Sequence, residues 1–393
     1  MVISRARARA WRRVLFLFAA LALTYCMLPL DNTCRLAVRR LFYIPRQRTF
    51  SREQLLSRTA PHPVDLATDV ALIIKTGFGT RDRLPGTLKF LDGKDDNDTE
   101  ADNGHIFGSI LVVGDFATQP GQHYSCNGEE LPVNDVVGLT IQRAGPIPNT
   151  KKNPTKLGNY TILQNAINDG DDALALSLSR QFGWELDAMK FISSLELAYH
   201  TFPDKKWYIL ADDDTYLVRP ALRKFLGQFH SDCEHYLGNA VGGWEGRFGH
   251  GGSSIMLSQG AMRRLFFDHP RTATEAHRTA LTTGMGDSLL ANTLMKVGIY
   301  IAEEHSPLFN GETPETTKIR PDRFCLPVLT FHSLRSPGQT LEVNRVLRKR
   351  TQPILWRDIW TMYGGPSLES FIMTPHRVNW DHVGSLDEHT TTE

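Results

Sequence analysis

The segment KWYILADDDTYL, residues 206–217, places three consecutive aspartates directly after an apolar run. The apolar residues 207–210 predict a strand that is buried on both faces of a parallel sheet. Three adjacent carboxylates repel one another unless a cation or water screens their charges. Ligands of open α/β sheets bind at the carboxyl ends of the strands, so Asp212, Asp213 and Asp214 form a candidate site. The alternative is a solvated acidic turn.

Short apolar runs alternate with helical patterns along the rest of the chain. From residue 69 onward, this alternation predicts an α/β fold with a mainly parallel sheet. A polar stretch that contains Pro132, Pro146, Pro148 and Pro154 is predicted to be a loop. The other predicted strands are residues 70–74, 109–114, 254–257 and 299–302, and the predicted helices are residues 81–91, 185–200, 221–229, 258–267 and 286–297.

Charge is distributed unevenly along the 393 residues. The net charge is +1, but residues 1–60 hold twelve arginines, no lysine and two acidic residues. Residues 61–393 therefore carry a net charge of −9. An acidic body of this kind argues against nucleic acid as a partner. The five cysteines are too sparse for a disulfide framework or a zinc site, although one disulfide within the body stays open.

An uncharged apolar run, residues 14–30, follows an arginine-rich N-terminus. The run is about long enough to cross a bilayer, and it predicts an uncleaved signal anchor. A cleaved signal peptide, with a site near residues 20–22, is the alternative. Similar numbers of arginines on the two sides leave the orientation open. The predicted organisation is a cytoplasmic tail (1–13), a transmembrane anchor (14–30), a stem (31–68), a globular domain (69–370) and a C-terminal tail (371–393).

The aspartate triplet suggests a particular metal chemistry. Carboxylate oxygens bind Mg²⁺ or Mn²⁺, and these ions bind diphosphate oxygens, so an Asp-x-Asp turn after a buried strand can hold a metal–nucleotide-sugar complex. A calcium loop requires a glycine at its sixth position, and residues 216–218 break that pattern. A phosphoaspartyl hydrolase would require Thr or Val where Tyr216 stands, so this alternative is also disfavoured.

Five segments together carry a family resemblance. They are, in chain order, DVALIIKT (69–76), WYILADDDTYL (207–217), FGHGGSSIMLS (248–258), GMGDSLLANTLMKVGI (284–299) and PVLTFHSL (327–334). In this order they resemble the Fringe / core 1 β1,3-galactosyltransferase-like family of inverting β1,3-glycosyltransferases, especially its fungal-type members. The resemblance covers about residues 65–335.

The resemblance implies a GT-A fold, a Rossmann-like arrangement that binds nucleotide sugars. It implies a UDP-sugar donor, Mn²⁺ with Mg²⁺ as an alternative, and inversion at the transferred sugar. Galactose is the sugar that it favours, transferred in β1,3 linkage to a glycan or glycoprotein, as in an N-acetylgalactosaminide β1,3-galactosyltransferase. It further implies a single-pass type II Golgi membrane protein with a lumenal catalytic domain, and it leaves a homodimer open. The alternatives are a UDP-glucose or UDP-N-acetylglucosamine donor, or a lectin-like or structural protein without catalysis.

Roles for individual residues also follow from the resemblance. Asp214 matches the direct metal ligand, Asp212 a position near the metal or the donor ribose, and Asp213 a supporting position on the nucleotide side. His332 matches the second metal-binding position, and imidazole is a suitable ligand for Mn²⁺. The residues expected to contact the donor are Lys75, Thr76, Arg81, Lys190, Gly251 and Gly252.

Asp287 is the expected catalytic base. Inversion requires a carboxylate that takes the proton from the attacking acceptor hydroxyl. Asp287 also begins a predicted helix, where an acidic residue stabilises the first turn, so a structural role is the alternative. Met285 and Gly286 stand where the family often has a second acid or a cysteine.

Overall fold

The computed structural model describes residues 5–43, 59–92, 106–146, 155–243, 246–363 and 373. Part of the predicted stem and nearly all of the predicted C-terminal tail, residues 371–393, lie outside these ranges. The strands in chain order are β1 (Val70–Lys75), β2 (Ile110–Gly114), β3 (Ser125–Cys126), β4 (Glu129–Glu130), β5 (Val133–Asp135), β6 (Trp207–Asp212), β7 (Tyr216–Leu217), β8 (Tyr236–Gly238), β9 (Ala240–Val241), β10 (Phe248–Gly249), β11 (Ile255–Ser258) and β12 (Thr330–Phe331).

A six-stranded sheet with the order β5-β2-β1-β6-β11-β8 forms the centre of the fold. Strand β1 pairs in parallel with β2 and β6, and β2 pairs in parallel with β5. Strand β11 runs antiparallel to both β6 and β8. The sheet is therefore mixed and mainly parallel, as the sequence predicts, and it fits a GT-A fold. Outside it, β12 pairs with β7, β10 with β9 and β3 with β4.

Helices cover the sheet and begin where the sequence supplies caps. Asp135 accepts backbone N–H groups at the start of the helix that follows β5. Ser336 and Gln339 form a capping box at the start of the helix that begins at Pro337. The helices are α1 (Arg5–Met27), α2 (Thr33–Tyr43), α3 (Leu66–Asp69), α4 (Leu84–Asp92), α5 (Val136–Ala144), α6 (Thr155–Asn168), α7 (Asp172–Asp187), α8 (Lys190–Thr201), α9 (Arg219–Leu226), α10 (Gln259–Arg263), α11 (Pro270–Ala280), α12 (Gly286–Lys296), α13 (Pro337–Leu347) and α14 (Trp356–Met362).

The two central strands are buried along almost their whole length. All six residues of β1 and the first five of β6 are buried, and α8 packs across both strands. A strand that is covered on both faces has no solvent-facing side to mark with polar residues, so it appears in the sequence as a continuous apolar run. The predicted strands at 70–74, 109–114, 207–210 and 254–257 are confirmed on this basis.

Three predicted segments differ in the structure. The helix predicted at 185–200 is two helices, α7 and α8, separated at Ala188 and Met189. The strand predicted at 299–302 is a single bridge between Ile301 and Tyr236. The predicted proline-rich loop contains α5, α6 and α7. Its two described prolines lie outside these helices, Pro132 directly before β5 and Pro146 shortly after the end of α5, as expected for a residue that disrupts helix interiors.

The N-terminal apolar run lies largely in α1, which includes the arginines that precede it. Among the residues that the structure describes, no helix combines the length and the apolar character needed to cross a membrane. After α1, the phenol of Tyr300 donates a hydrogen bond to the carbonyl of Leu30 at 2.9 Å. All five cysteines are free thiols, and Cys126 alone among them is buried.

Candidate active site

Lys75 and Asp212 meet because they end neighbouring strands. They are paired in the register of β1 and β6, and the Lys75 ammonium lies 2.8 Å from Oδ1 of Asp212. It also lies 2.7 Å from Oδ1 of Asp187. Burial lowers the pKa of Lys75, but the two carboxylates outweigh that effect and raise it. Lys75 therefore carries a charge that is already balanced within the protein.

Asp213 points into the protein and supports the turn. Its Oδ2 accepts hydrogen bonds from Thr76 at 2.6 Å and Thr80 at 2.7 Å, and its carbonyl accepts one from Thr87 at 2.6 Å. Arg83 lies 3.2 Å from Oδ1. Burial raises the pKa of Asp213 to about 6 in spite of these contacts. The Asp213 side chain is thus held by the residues around the turn, among them Thr76, a predicted donor contact.

Asp214 and His332 are brought together by the short β7–β12 pair. Phe331 stands opposite Tyr216 in that pair, so the residue after Phe331 returns to the aspartate turn. Nε2 of His332 lies 3.1 Å from Oδ1 of Asp214 and 3.9 Å from Oδ2 of Asp212. Burial raises the pKa of Asp214, but His332 and neighbouring cations outweigh it and lower that pKa.

Asp212, Asp214 and His332 form a group that can hold a metal ion. One ligand atom from each lies within 4.8 Å of the others. Nδ1 of His332 is 3.3 Å from the carbonyl of Gly311 and 3.2 Å from the hydroxyl of Ser333, so these contacts orient Nε2 toward the carboxylates. Two carboxylate oxygens and one imidazole nitrogen are donors that suit Mn²⁺ and related divalent ions. The residues present thus fit the metal that the sequence predicts.

The loop between β10 and β11 closes over the other side of this group. Gly252 lies so close to His332 that a Cβ atom at this position would overlap the imidazole ring. The Thr215 hydroxyl donates to the carbonyl of Gly252 at 2.8 Å. The backbone N–H of Gly251 donates to Oδ2 of Asp287 at 3.2 Å. Both predicted glycines are therefore held between the metal-binding group and Asp287.

Asp287 occupies the first turn of α12, as predicted, and is half-buried. Its Oδ1 accepts the backbone N–H of Ser288 at 2.8 Å. The preceding Gly286 packs on Phe191, with no room for a Cβ atom. Close packing here fixes the backbone that carries Asp287. The structure thus holds this carboxylate against the glycine loop that also packs on His332.

A cleft of about 270 Å³ is lined by all three aspartates of the triplet. Among the predicted donor contacts, Lys75, Thr76 and Lys190 line it, and the exposed Trp184 stands at its wall. His332, Asp287 and the two glycines lie outside its lining. The lining residues are Lys75, Thr76, Gly77, Gly79, Thr80, Arg83, Asp115, Ser179, Gly183, Trp184, Asp187, Lys190, Asp212, Asp213 and Asp214.

Arg81, a predicted donor contact, is not part of the cleft lining. Its guanidinium donates to the carbonyl of Phe78 at 2.7 Å, stacks on the Phe78 ring and reaches Asp172 at 3.3 Å. Arg83, which the sequence analysis missed, lines the cleft and lies 3.0 Å from Oδ2 of Asp214. Arg81 and Arg83 are two positions apart on a helical turn, so their side chains point in different directions. The helical periodicity after β1 is therefore the signal that could have distinguished the two arginines.

Asp115 is the second residue that the sequence analysis missed. It is buried beside Lys190, with 3.0 Å between Oδ2 and Nζ, and it accepts the N–H of Phe78 at 2.8 Å. Lys190 also donates to the carbonyl of Thr76 at 2.7 Å. Asp115 directly follows β2, at the same sheet edge as Asp212. The strand-end rule that identified Asp212 could therefore have identified Asp115.

The mainly parallel α/β sheet, the metal-binding group at its edge and the adjacent cleft are the features of a glycosyltransferase of GT-A type. Residues 178–364 match the protein family described as Fringe-like. This match confirms, over these residues, the resemblance to that family of glycosyltransferases. It includes the metal-binding group and Asp287, and it begins after β1 and β2. No curated protein matches the chain.

Proposed function

We propose that this glycosyltransferase moves galactose from UDP-galactose to a glycan or glycoprotein hydroxyl, in β1,3 linkage and with inversion. The observation that carries the proposal is the convergence of Asp212, Asp214 and His332 within 4.8 Å beside the cleft. A Mn²⁺ ion bound by these residues would supply positive charge for the diphosphate leaving group. Mg²⁺ offers the same charge with a stronger preference for oxygen ligands.

The cleft suits the nucleotide part of the donor. It lies at the carboxyl ends of β1, β2 and β6, where ligands of such sheets bind. Lys75 and Lys190 are held by Asp212, Asp187 and Asp115. Their role is therefore to position the carboxylates and the Thr76 backbone that face the donor. The exposed indole of Trp184 offers a flat apolar surface to the same cleft.

Asp287 supplies the base in this proposal. It does not line the cleft, and it accepts the N–H of Gly251, the neighbour of the glycine that lies against His332. An acceptor hydroxyl bound there would face the donor sugar, and Asp287 would accept its proton as the new bond forms. The backbone hydrogen bonds from Gly251 and Ser288 hold the carboxylate in one orientation.

A panel of UDP-sugars tests this function. The full chain is incubated with UDP-galactose, UDP-glucose or UDP-N-acetylglucosamine and with glycan acceptors, in Mn²⁺, in Mg²⁺ and in EDTA. Metal-dependent transfer of galactose to a β1,3-linked product is the expected result. Transfer of glucose or N-acetylglucosamine would assign the donor differently. Binding of glycans without turnover of any donor would favour the lectin-like alternative.

The proposal includes a location, the Golgi membrane, with a single-pass type II anchor and a lumenal catalytic domain. Support for an anchor comes from the uncharged apolar run 14–30 and from the exposed apolar side chains of α1, which include Phe16 and Phe18. The type II orientation rests on the family resemblance. Alkaline carbonate extraction and protease protection of sealed vesicles test it. Release of the chain into the carbonate supernatant would reject the anchor. The homodimer stays a prediction, which sedimentation of the purified chain can test.

A further inference from the structure

A second cavity, of about 320 Å³, shares no lining residue with the cleft at the aspartates. Four arginines and one carboxylate supply its charged groups. We call this cavity the arginine pocket. Its lining residues are Asp65, Leu66, Ile106, Tyr216, Val218, Arg219, Pro220, Arg223, Leu347, Arg348, Arg350 and Thr351.

Two elements bring the arginines together. Arg219 and Arg223 stand one turn apart on α9, so their side chains lie on the same face of that helix. Arg348 directly follows α13, and Arg350 lies two residues further along the chain. Buried apolar residues, among them Val218, form the floor between the two elements. The arginines therefore surround a recess instead of projecting separately from a flat surface.

The charged groups that line the arginine pocket are mostly positive. Arg219, Arg223 and Arg350 alone set three guanidinium groups against the carboxylate of Asp65, a net formal charge of +2. Oδ1 of Asp65 is already used as the cap of α3, accepting the N–H of Ala67 at 3.0 Å. Within the described ranges, Arg219, Arg223 and Arg350 form no ion pair with a carboxylate. Like charges gathered around a recess repel one another unless an anion or solvent compensates them.

Tyr216 adds a neutral polar group to the floor. Its hydroxyl lies 3.2 Å from Oδ1 of Asn344, to which it donates. Burial raises the pKa of Tyr216 to about 12, so the phenol stays uncharged near neutral pH and does not compensate the arginines. The first turn of α9 also faces the pocket, and its peptide dipoles add positive potential of the same sign.

We propose that the arginine pocket binds a tetrahedral oxyanion, a phosphate or sulfate group carried as an ester by a small molecule. The planar guanidinium fork matches such oxygens with paired hydrogen bonds. A volume of about 320 Å³ corresponds to roughly ten water molecules, which is more than one bare anion fills. The remaining space, beside Tyr216 and Thr351, accommodates a body of about the size of one sugar ring. This inference is independent of the proposed function, because the two sites share no residue.

Calorimetric titration of the full chain tests the arginine pocket. The probes are inorganic phosphate, inorganic sulfate, glucose 6-phosphate, glucose 6-sulfate and unmodified glucose. The native chain is expected to bind an ester saturably at one site, more tightly than the corresponding inorganic ion, and to leave glucose unbound. Raising the salt concentration is expected to weaken the binding, because it screens the charges. Tighter binding of the inorganic ion than of either ester would overturn the ester assignment.

Variants locate the bound anion. Arg219→Gln/Arg350→Gln is expected to weaken ester binding at least about tenfold, since two charged hydrogen-bond donors are lost. Arg219→Lys/Arg350→Lys keeps the charge without the fork and should bind between the two. Arg271→Gln is the matched control, because Arg271 is exposed in the first turn of another proline-initiated helix and lines neither cavity. Equal ester affinity in the native chain and the glutamine double variant, or no saturable binding of any anion, would refute the pocket.

Discussion

Gly252 lies directly against the imidazole of His332, and a Cβ atom at position 252 would overlap that ring. The same glycine accepts the Thr215 hydroxyl at its carbonyl, at 2.8 Å. Thr215 follows the aspartate triplet, and His332 completes the group that begins in it. Close approach of this backbone is thus part of what holds the two carboxylates and the imidazole together, and only glycine permits it.

Gly252→Ala should therefore disrupt the metal-binding group. The added methyl group must displace His332, and we expect affinity for Mn²⁺ to fall by about ten- to hundredfold, as happens when the support of a metal ligand is removed. Electron paramagnetic resonance of free Mn²⁺ measures this affinity. Gly158→Ala is the control, because its Cβ would meet open space on α6. Unchanged Mn²⁺ affinity in Gly252→Ala would show that His332 is not a ligand.

Substitutions of Asp214 and Asp287 should distinguish binding of UDP from transfer of the sugar. Asp214→Asn removes a metal ligand, so metal-dependent binding of UDP is expected to be lost together with activity. Asp287→Asn leaves the metal-binding group intact and removes the base, so UDP binding should persist while the transfer rate falls about 10²- to 10⁴-fold. Calorimetry with UDP and Mn²⁺, beside a transfer assay, distinguishes the two. A native transfer rate in Asp287→Asn would reject the base assignment.

The central sheet and the aspartate turn could be predicted because their signals are local. A strand buried on both faces leaves a continuous apolar run, and β1 and β6 both show one. His332 has no such signal. It reaches Asp214 through β7 and β12, strands of two residues each, whose pairing no local pattern predicts. Only the similarity of whole segments to a known family placed it in the site.

Other residues were missed because their roles depend on the direction of the side chain or on contacts with residues far away in the sequence. The sequence predicts Arg81 as a donor contact, but Arg83 is the arginine that lies close to Asp214. Asp115 is recognisable only after β2 has been placed beside β1 in the sheet. Helix α6 was taken for loop because its exposed face carries apolar Ile162, which obscures the amphipathic pattern.

The buried pair between Lys190 and Asp115 should be important for stability. Their side chains are 3% and 1% exposed, 3.0 Å apart. Lys190→Met would leave a buried carboxylate without its partner, and we expect a loss of about 3–5 kcal/mol in the free energy of unfolding, measured in urea. Lys206→Met is the control, because the exposed pair of Lys206 with Asp69 should contribute less than about 1 kcal/mol.

A second variant distinguishes charge from packing at this pair. Lys190→Met/Asp115→Asn removes both charges and should recover part of the lost stability. The asparagine introduced at position 115 would still offer an amide oxygen to the N–H of Phe78, which donates to Asp115 in the native chain. If Lys190→Met cost no more than Lys206→Met, the pair would not be buried as the structure shows. If the double variant were as unstable as the single one, packing of the lysine stem would be the larger contribution.

His305 lies outside the active site, and its burial should make the free energy of unfolding depend on pH. Burial against Phe225 and Phe229 lowers the pKa of His305 to about 4, below about 6.5 for an unfolded histidine. Between these two pH values, the unfolded chain therefore binds more protons than the folded chain. The contribution of His305 to the free energy of unfolding is complete above pH 6.5, and it declines by about 3 kcal/mol in total as the pH falls toward 4. His305→Gln should show a correspondingly shallower decline in urea unfolding over that window. An identical decline in both proteins would contradict the burial of a neutral imidazole.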